Sequence, residues 1–233
     1  MPLMERLKHY VAGFGPSWSQ YGEDAHVRSH FRNKGWTKQG GFQTMQAGFY
    51  VDVGCCHPIR LSNTLWFYKA GWRGINIDPT PGVKELFDRW RKRDVNLGLA
   101  VSDHNGSLTF YTEGGKNSVY NTASPEQARL LVEQGLIKNM VEVQVPCATL
   151  SSVLDKHLPK GQGIQFMSVD AEGHDLEVLQ SNDWARYRPE VLLVEAHTDT
   201  LEHLMDSDLV RYITAQGYDI HAWLRPNLVL KPR

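Results

Sequence analysis

Short apolar runs alternate along this chain with stretches whose apolar residues recur every three or four positions, the pattern of strands interleaved with helices. The runs predict strands over Gly48–Val53, Gly74–Asp78, Val95–Val101, Ser107–Thr112, Val141–Val145, Ile164–Val169 and Val191–Val194. Two more are expected between Tyr218 and Leu230, around Arg225-Pro226-Asn227. Helical spacing and end signals predict Glu23–Lys34, with acids in its first turn and Gly35 as its stop, and a short helix Thr64–Ala70 capped by Asn63. A helix carries Val83, Leu86, Phe87 and Trp90, and another opens on the capping box Ser124-Pro125-Glu126-Gln127. Thr149 caps Leu150–Leu158, a further helix runs through Leu176 and Leu179, and a last long one carries Leu201, Leu204, Met205, Leu209, Tyr212 and Ile213. Such alternation implies an α/β fold, a mostly parallel, Rossmann-like sheet of seven strands with helices on both faces and one antiparallel edge strand. Ligands of such a sheet sit beyond the carboxyl ends of its strands.

At 233 residues the chain is read as one domain over 1–233, with residues 1–47 as a cap segment over the site. Residues 113–140 break the alternation and are read as an inserted lid that selects the acceptor. The net charge of −1 argues against nonspecific nucleic-acid binding as the main task. Cys55 and Cys56 are adjacent and Cys147 is distant, which is no disulfide framework; a reducing, cytoplasmic setting is expected. No apolar run reaches the roughly 20 residues of a spanning helix, so no transmembrane segment is expected. The oligomeric state is left open, a homo-oligomer included.

The strand ends carry the chemistry. Val51-Asp52-Val53-Gly54 ends the first strand on an acid and a glycine, so that a ligand can approach bare backbone, and Asp78 ends the second, where an acid accepts hydrogen bonds from ribose hydroxyls. Further ends deliver His57, Asp103, Asp170 with Glu172 and His174, and Glu195 with His197. After Gly54 come Cys55-Cys56-His57-Pro58, which excludes a G-x-G-x-x-G dinucleotide loop, and no P-loop is present. One glycine with an acid 24 residues later suits a cofactor with a ribose and no pyrophosphate, as in S-adenosyl-L-methionine.

The blocks Ser19-Gln20-Tyr21-Gly22-Glu23-Asp24, Tyr50-Val51-Asp52-Val53-Gly54, His57-Pro58 with Ser62-Asn63-Thr64, Gly71-Trp72-Arg73-Gly74, Ala100-Val101-Ser102 and Val169-Asp170-Ala171-Glu172-Gly173 occur in order. In these the chain resembles the FkbM family of S-adenosylmethionine-dependent O-methyltransferases, from Ser19 to about Gly217. Many relatives have glutamate where Asp78 stands and a small residue where Cys55 does. The resemblance implies that Asp52 and Gly54 lie against the methionine part of the cofactor and Asp78 against its ribose. It places Ser102 and Asp103 at the adenine, and Asp170 and Glu172 at the methyl-transfer centre. Asn63 faces the cofactor or caps its helix. Gln20, Glu23 and Asp24 come from a segment folded over the site, or the two acids simply favour a helix start.

Methyl transfer to a hydroxyl needs alignment and removal of a proton. His57, His174 and His197 are candidate bases, and the acids Glu172 and Asp175 flank His174 and would raise its pKa. The other route is a divalent ion, Mg²⁺ or Mn²⁺, for which Asp170, Glu195 and His197 offer ligands. The acceptor expected from the resemblance is a carbohydrate, in polysaccharide, glycolipid or glycosylated-metabolite biosynthesis. The alternatives are a non-sugar small molecule such as a polyketide and a non-catalytic binding module that keeps the cofactor fold.

Overall fold

A computed structural model of the chain describes residues 17–32, 47–114 and 118–233. Most of the expected cap segment, the helix end at Lys34 with its stop at Gly35, and part of the inserted segment lie outside the described residues. The main sheet has seven strands in the order β3-β2-β1-β7-β8-β10-β9. β1 (Phe49–Val53) pairs in parallel with β2 (Arg73–Ile77) on one side and β7 (Phe166–Val169) on the other. β3 (Val95–Leu97) and β8 (Val191–Glu195) extend it outward, also in parallel.

Alternation within each strand divides its side chains between two cores. Val51, Val53, Ile75, Ile77, Met167 and Val169 pack in one cluster with α5 (Leu150–His157), α6 (Asp175–Gln180) and α8 (Asp208–Ala215). Tyr50, Phe166, Val191 and Leu193 pack in the other with Val27 and Phe31 of α1 (Glu23–Arg32) and Trp66 and Phe67 of α2 (Leu65–Lys69). α3 (Val83–Trp90) follows β2, with Val83 and Phe87 packed against Cys55, and helices cover both faces, as the alternation predicts.

Three expectations are corrected. The reversed strand is not at the edge: β10 (Asn227–Pro232) lies between β8 and β9 (Tyr218–Leu224), antiparallel to both. Burial explains the placement, because Asn227 through Leu230 are all buried while most of β9 is partly exposed and suits the edge. The run Val95–Val101 is two strands. Asp78 N–H closes the main ladder on Leu97 O at 3.1 Å, and β4 (Ala100–Val101) then enters a second sheet, order β4-β6-β5, with β5 (Gly106–Thr112) and β6 (Val141–Ala148). The last long helix is also two, α7 (Leu201–Met205) and α8, because Ser207 accepts the Val210 N–H at 3.2 Å and starts a new helix. α4 (Pro125–Glu133) follows Ser124, whose hydroxyl accepts from Gln127 N, as the capping box predicts. Among the described residues no helix is long and apolar enough to cross a membrane.

Candidate active site

The carboxyl ends of β1, β2, β7 and β8 open onto one cleft of about 1010 Å³, its open mouth included. Asp52, Gly54, Asp78, Asp170, Glu172 and Glu195 all line it. Gly54 has φ +75°, and a Cβ there would lie 1.7 Å from the carbonyl oxygen of Asp170. The glycine is thus required by the close approach of the β7 loop, a different reason from the ligand approach that the sequence suggests. Its N–H donates to Ile77 O at 2.9 Å, which ties the β1 loop to β2 as well.

Asp78 organises the same corner. One carboxylate oxygen accepts the Cys56 N–H and the other the Thr80 N–H, both at 2.8 Å. Cys56 has φ +49°, a conformation that costs a side-chain-bearing residue about 1–2 kcal/mol, and the Asp78 bond helps hold it there. Burial pushes the Asp78 carboxyl up against these two backbone bonds. Asp52 accepts the Thr64 hydroxyl at 2.6 Å, and burial raises it to about 6.

The deeper end is strongly acidic. Asp175 receives the Ala171 N–H at 2.9 Å and the Gly173 N–H at 3.2 Å, which shapes the loop after β7, and burial raises it to about 7. Glu172 on that loop has φ +50° and is pushed up to about 8 by burial and then by Glu195. Asp170 is raised by burial, then by Glu195 and Glu172, and its Oδ1 is buried without a hydrogen-bond partner. His197 Nε2 lies 2.8 Å from Glu195 Oε2 and 3.9 Å from Glu172 Oε2, and the Glu195 contact raises it to about 9. The Glu195 carboxylate therefore favours the imidazolium form of His197, with the Glu172 carboxyl group on its other side.

The remaining predicted residues divide. Gln20 lines the cleft, and so does Asn63, whose amide donates to Ser168 Oγ of β7 at 3.1 Å. Asn63 is not the cap of α2; the N-cap position is Thr64, which makes no side-chain cap bond, and Ser62 Oγ accepts the Leu65 N–H at 3.1 Å. Glu23 and Asp24 are buried braces: Glu23 accepts the Tyr21 N–H and the Asn227 amide, each at 2.8 Å, and Asp24 gathers Ser17, Ser19 and the Trp18 N–H. His174 lines the cleft, with Nε2 on Ser102 Oγ at 3.1 Å. Burial lowers its pKa, against the rise expected from its acidic neighbours. Ser102 is buried behind it, outside the lining. Asp103 is not brought to the cleft: it faces solvent, 2.6 Å from His104. His57 is also outside the lining, its Nδ1 accepting the Ile59 and Arg60 N–H groups at 3.0 Å each. It is a turn staple.

For a metal, the three ligand atoms brought within 4.8 Å of one another are those of Glu172, Glu195 and His197; Asp170 is not in that set. As the chain stands, His197 Nε2 is engaged with Glu195 Oε2 at 2.8 Å, a contact that an ion would have to displace together with any proton on the imidazole.

The model of the FkbM methyltransferase domain matches residues 52–220, most of the chain. The chain belongs to the FkbM methyltransferase family. No curated protein and no solved structure matches it. The FkbM match begins at Asp52 and takes in the ends of β1, β2, β7 and β8, hence the four strand ends that open the cleft. The Ser19–Asp24 block lies before it.

Within this FkbM domain several working residues escaped the sequence reading. Leu99, Ala100, Val101 and Phe110 give the cleft an apolar wall, supplied by the segment that leaves the main sheet after β3 and by β5. Fully buried Arg91 donates to Pro58 O at 3.0 Å, Tyr50 OH at 3.1 Å and Ser62 Oγ at 2.9 Å, and so fixes the segment from Pro58 to Ser62. In the run Arg89-Trp90-Arg91-Lys92-Arg93 nothing separates it from solvated neighbours. Asn121 and Thr122, from the inserted segment, reach Thr80 Oγ1 at 3.3 Å and Glu172 O at 2.6 Å. No periodic signal marks them.

Proposed function

We propose that this methyltransferase is S-adenosylmethionine-dependent and methylates a hydroxyl of a carbohydrate. The observation that carries the reading is the convergence of Asp52, Gly54, Asp78 and Asp170 on one cleft within an FkbM domain. The donor set suits that cofactor. Asp78 keeps lone pairs beyond the two that hold backbone, enough for ribose hydroxyls, and Asp170 presents a buried oxygen in want of a partner. Among the described residues lining the cleft there is no lysine or arginine, which favours a cationic ligand. The wall of Pro79, Leu99, Val101 and Phe110 suits a flat base. Bound S-adenosylmethionine would supply a methyl group already activated by its sulfonium charge.

The chain's own task is to place the acceptor hydroxyl and take its proton. His57 is occupied by backbone, and His197 is already protonated. Glu172, raised to about 8 and lining the cleft, is the group whose proton affinity suits a general base near neutral pH. Asp170 lies beside it, and His197 offsets the negative charge of Glu172 in the ionised form that accepts the proton. Among the described residues lining the cleft no lysine or arginine offers a countercharge to phosphorylated or carboxylated acceptors. Neutral sugar hydroxyls remain the best fit, and thiols at Cys55 and Cys147 suit a reducing cytoplasm.

The test is to incubate the protein with S-adenosylmethionine and a panel of glycosides, sugar phosphates and polyketide alcohols, and to read the products by mass spectrometry. A cofactor-dependent gain of one CH2 on neutral glycosides is expected. Gain only on polyketide alcohols would overturn the carbohydrate assignment, and gain on nitrogen acceptors alone would overturn O-methylation.

A further inference from the structure

Thr122 is fully buried where the inserted segment crosses the cleft. Its backbone pairs with Tyr111 of β5 in both directions, at 2.8 and 3.0 Å, which anchors it to the second sheet. Its hydroxyl is used twice, accepting the Ser124 N–H at 2.9 Å and donating to the Glu172 carbonyl at 2.6 Å. Beside it, Asn121 accepts the Glu113 N–H at 3.0 Å and donates to Thr80 Oγ1. Residues 121 and 122 thus form a strap fastened to the second sheet and tied to both cleft walls, the loop after β2 and the loop after β7.

The second wall needs such a tie. The described non-glycine residues with positive φ are Cys56, Leu61 and Glu172, and all three line this cleft. Backbone held in that region persists only where the surroundings over-determine it. For Glu172 the constraints come from two sides. Asp175 grips the N–H groups of Ala171 and Gly173 from beneath, and Thr122 grips the carbonyl of Glu172 itself. The start of α4 packs on the same loop, with Ser124 and Gln127 side chains 3.6–3.8 Å from where a Cβ on Gly173 would stand.

We propose that Thr122 is a positioning residue, whose hydroxyl holds the Glu172 backbone in its left-handed turn and so keeps the carboxylate facing the acceptor. The inserted segment then does two jobs. It lines the cleft with Ser118 and Val119, and it sets the group that receives the acceptor's proton. This rests on the reading of Glu172 as the base, so the test has one arm that needs no turnover.

Thr122→Val removes the hydroxyl at nearly constant shape, and Thr122→Ser retains it. In the ligand-free protein, hydrogen exchange at residues 171–174 should accelerate in Thr122→Val by about tenfold or more and stay near wild type in Thr122→Ser. With a methylated acceptor in hand, Thr122→Val should lose about tenfold or more in kcat while cofactor affinity stays within about twofold, and Thr122→Ser should recover kcat. Where Thr122→Val fails to fold, Thr122→Cys, with its weak S–H donor, takes its place. Unchanged exchange in the hydroxyl-free variant overturns the proposal, and so does faster exchange with undiminished kcat. If wild type methylates no hydroxyl at all, the functional reading fails by itself, and the exchange arm still decides whether Thr122 holds the loop.

Discussion

The tightest constraint in the site is between two stretches of backbone, and replacing Gly54 by alanine tests it. The added Cβ would lie 1.7 Å from the Asp170 carbonyl oxygen, whereas close carbon–oxygen contacts settle at about 3.3–3.6 Å. The loops after β1 and β7 must therefore part by more than an ångström. Parting breaks or lengthens the bond from Asp170 N–H to Val53 O, now 3.0 Å, a loss of about 0.5–1.5 kcal/mol. Holding alanine at φ +75° costs about 1–2 kcal/mol more. Overpacking in a buried corner adds about 1–3 kcal/mol. The sum, about 2.5–6.5 kcal/mol, is a large share of the roughly 5–15 kcal/mol that holds a typical domain together. Urea unfolding gives the stability, and calorimetry with S-adenosylmethionine gives the affinity. Gly71→Ala is the control, since Gly71 has φ +94° with nothing within 4 Å of its virtual Cβ, and it should lose only the backbone part. If Gly54→Ala is destabilised no more than Gly71→Ala and still binds cofactor, the steric reasoning is wrong.

Other substitutions and conditions probe the carboxylates. Asp78→Asn offers one acceptor oxygen where two backbone N–H groups are now served, and it should weaken cofactor binding by about 1.5–3 kcal/mol, or roughly 10- to 150-fold; unchanged affinity by calorimetry would remove Asp78 from the ribose. Because Glu172 titrates near 8 in the fold and at 4.5 ordinarily, the native state holds the extra proton, and stability should fall as pH rises from about 4.5 through 8. Glu172→Gln should flatten that slope in denaturant titrations, and an equally steep curve would contradict the assignment. Chelator treatment should leave turnover intact, with His197 Nε2 remaining on Glu195 Oε2; loss with recovery on Mg²⁺ or Mn²⁺ would instead place an ion among Glu172, Glu195 and His197.

The parts of this molecule that obey a short-range rule were readable in advance. The buried strands declare themselves as apolar runs, and the helices from Ser124 and Thr149 as hydroxyl caps, because both signals live within a few residues. The breaks were harder. Nothing local in Val95–Val101 says that Leu97 is the last residue on the main sheet, since that is decided by Asp78 N–H closing on it. Likewise the run from Leu201 to Ile213 keeps its apolar spacing across Ser207, and only the cap bond to Val210 reveals the break. At the site, the acids at strand ends were legible and their partners were not. His57 and Asp103 carry the right chemistry at strand ends, yet a two-residue turn consumes one and solvent takes the other.

That gap has a common physical origin. Buried carboxylates are costly unless their oxygens are occupied, so the fold uses most of them as braces before any ligand arrives. Asp78 holds Cys56 and Thr80, Asp175 holds Ala171 and Gly173, Asp52 holds the Thr64 hydroxyl, and Glu195 holds His197. A brace and a ligand-binding acid look identical in sequence, and in this cleft single residues are both, because a carboxylate has more lone pairs than one backbone contact uses. The distinction therefore lies in what is left over. Asp170 and Glu195, each with an oxygen buried and without a hydrogen bond, and Glu172, whose nearest cation is the shared His197 at 3.9 Å, are the acids with capacity to spare. Spare capacity, rather than position at a strand end, is what separates the groups available for chemistry from those that build the walls around it.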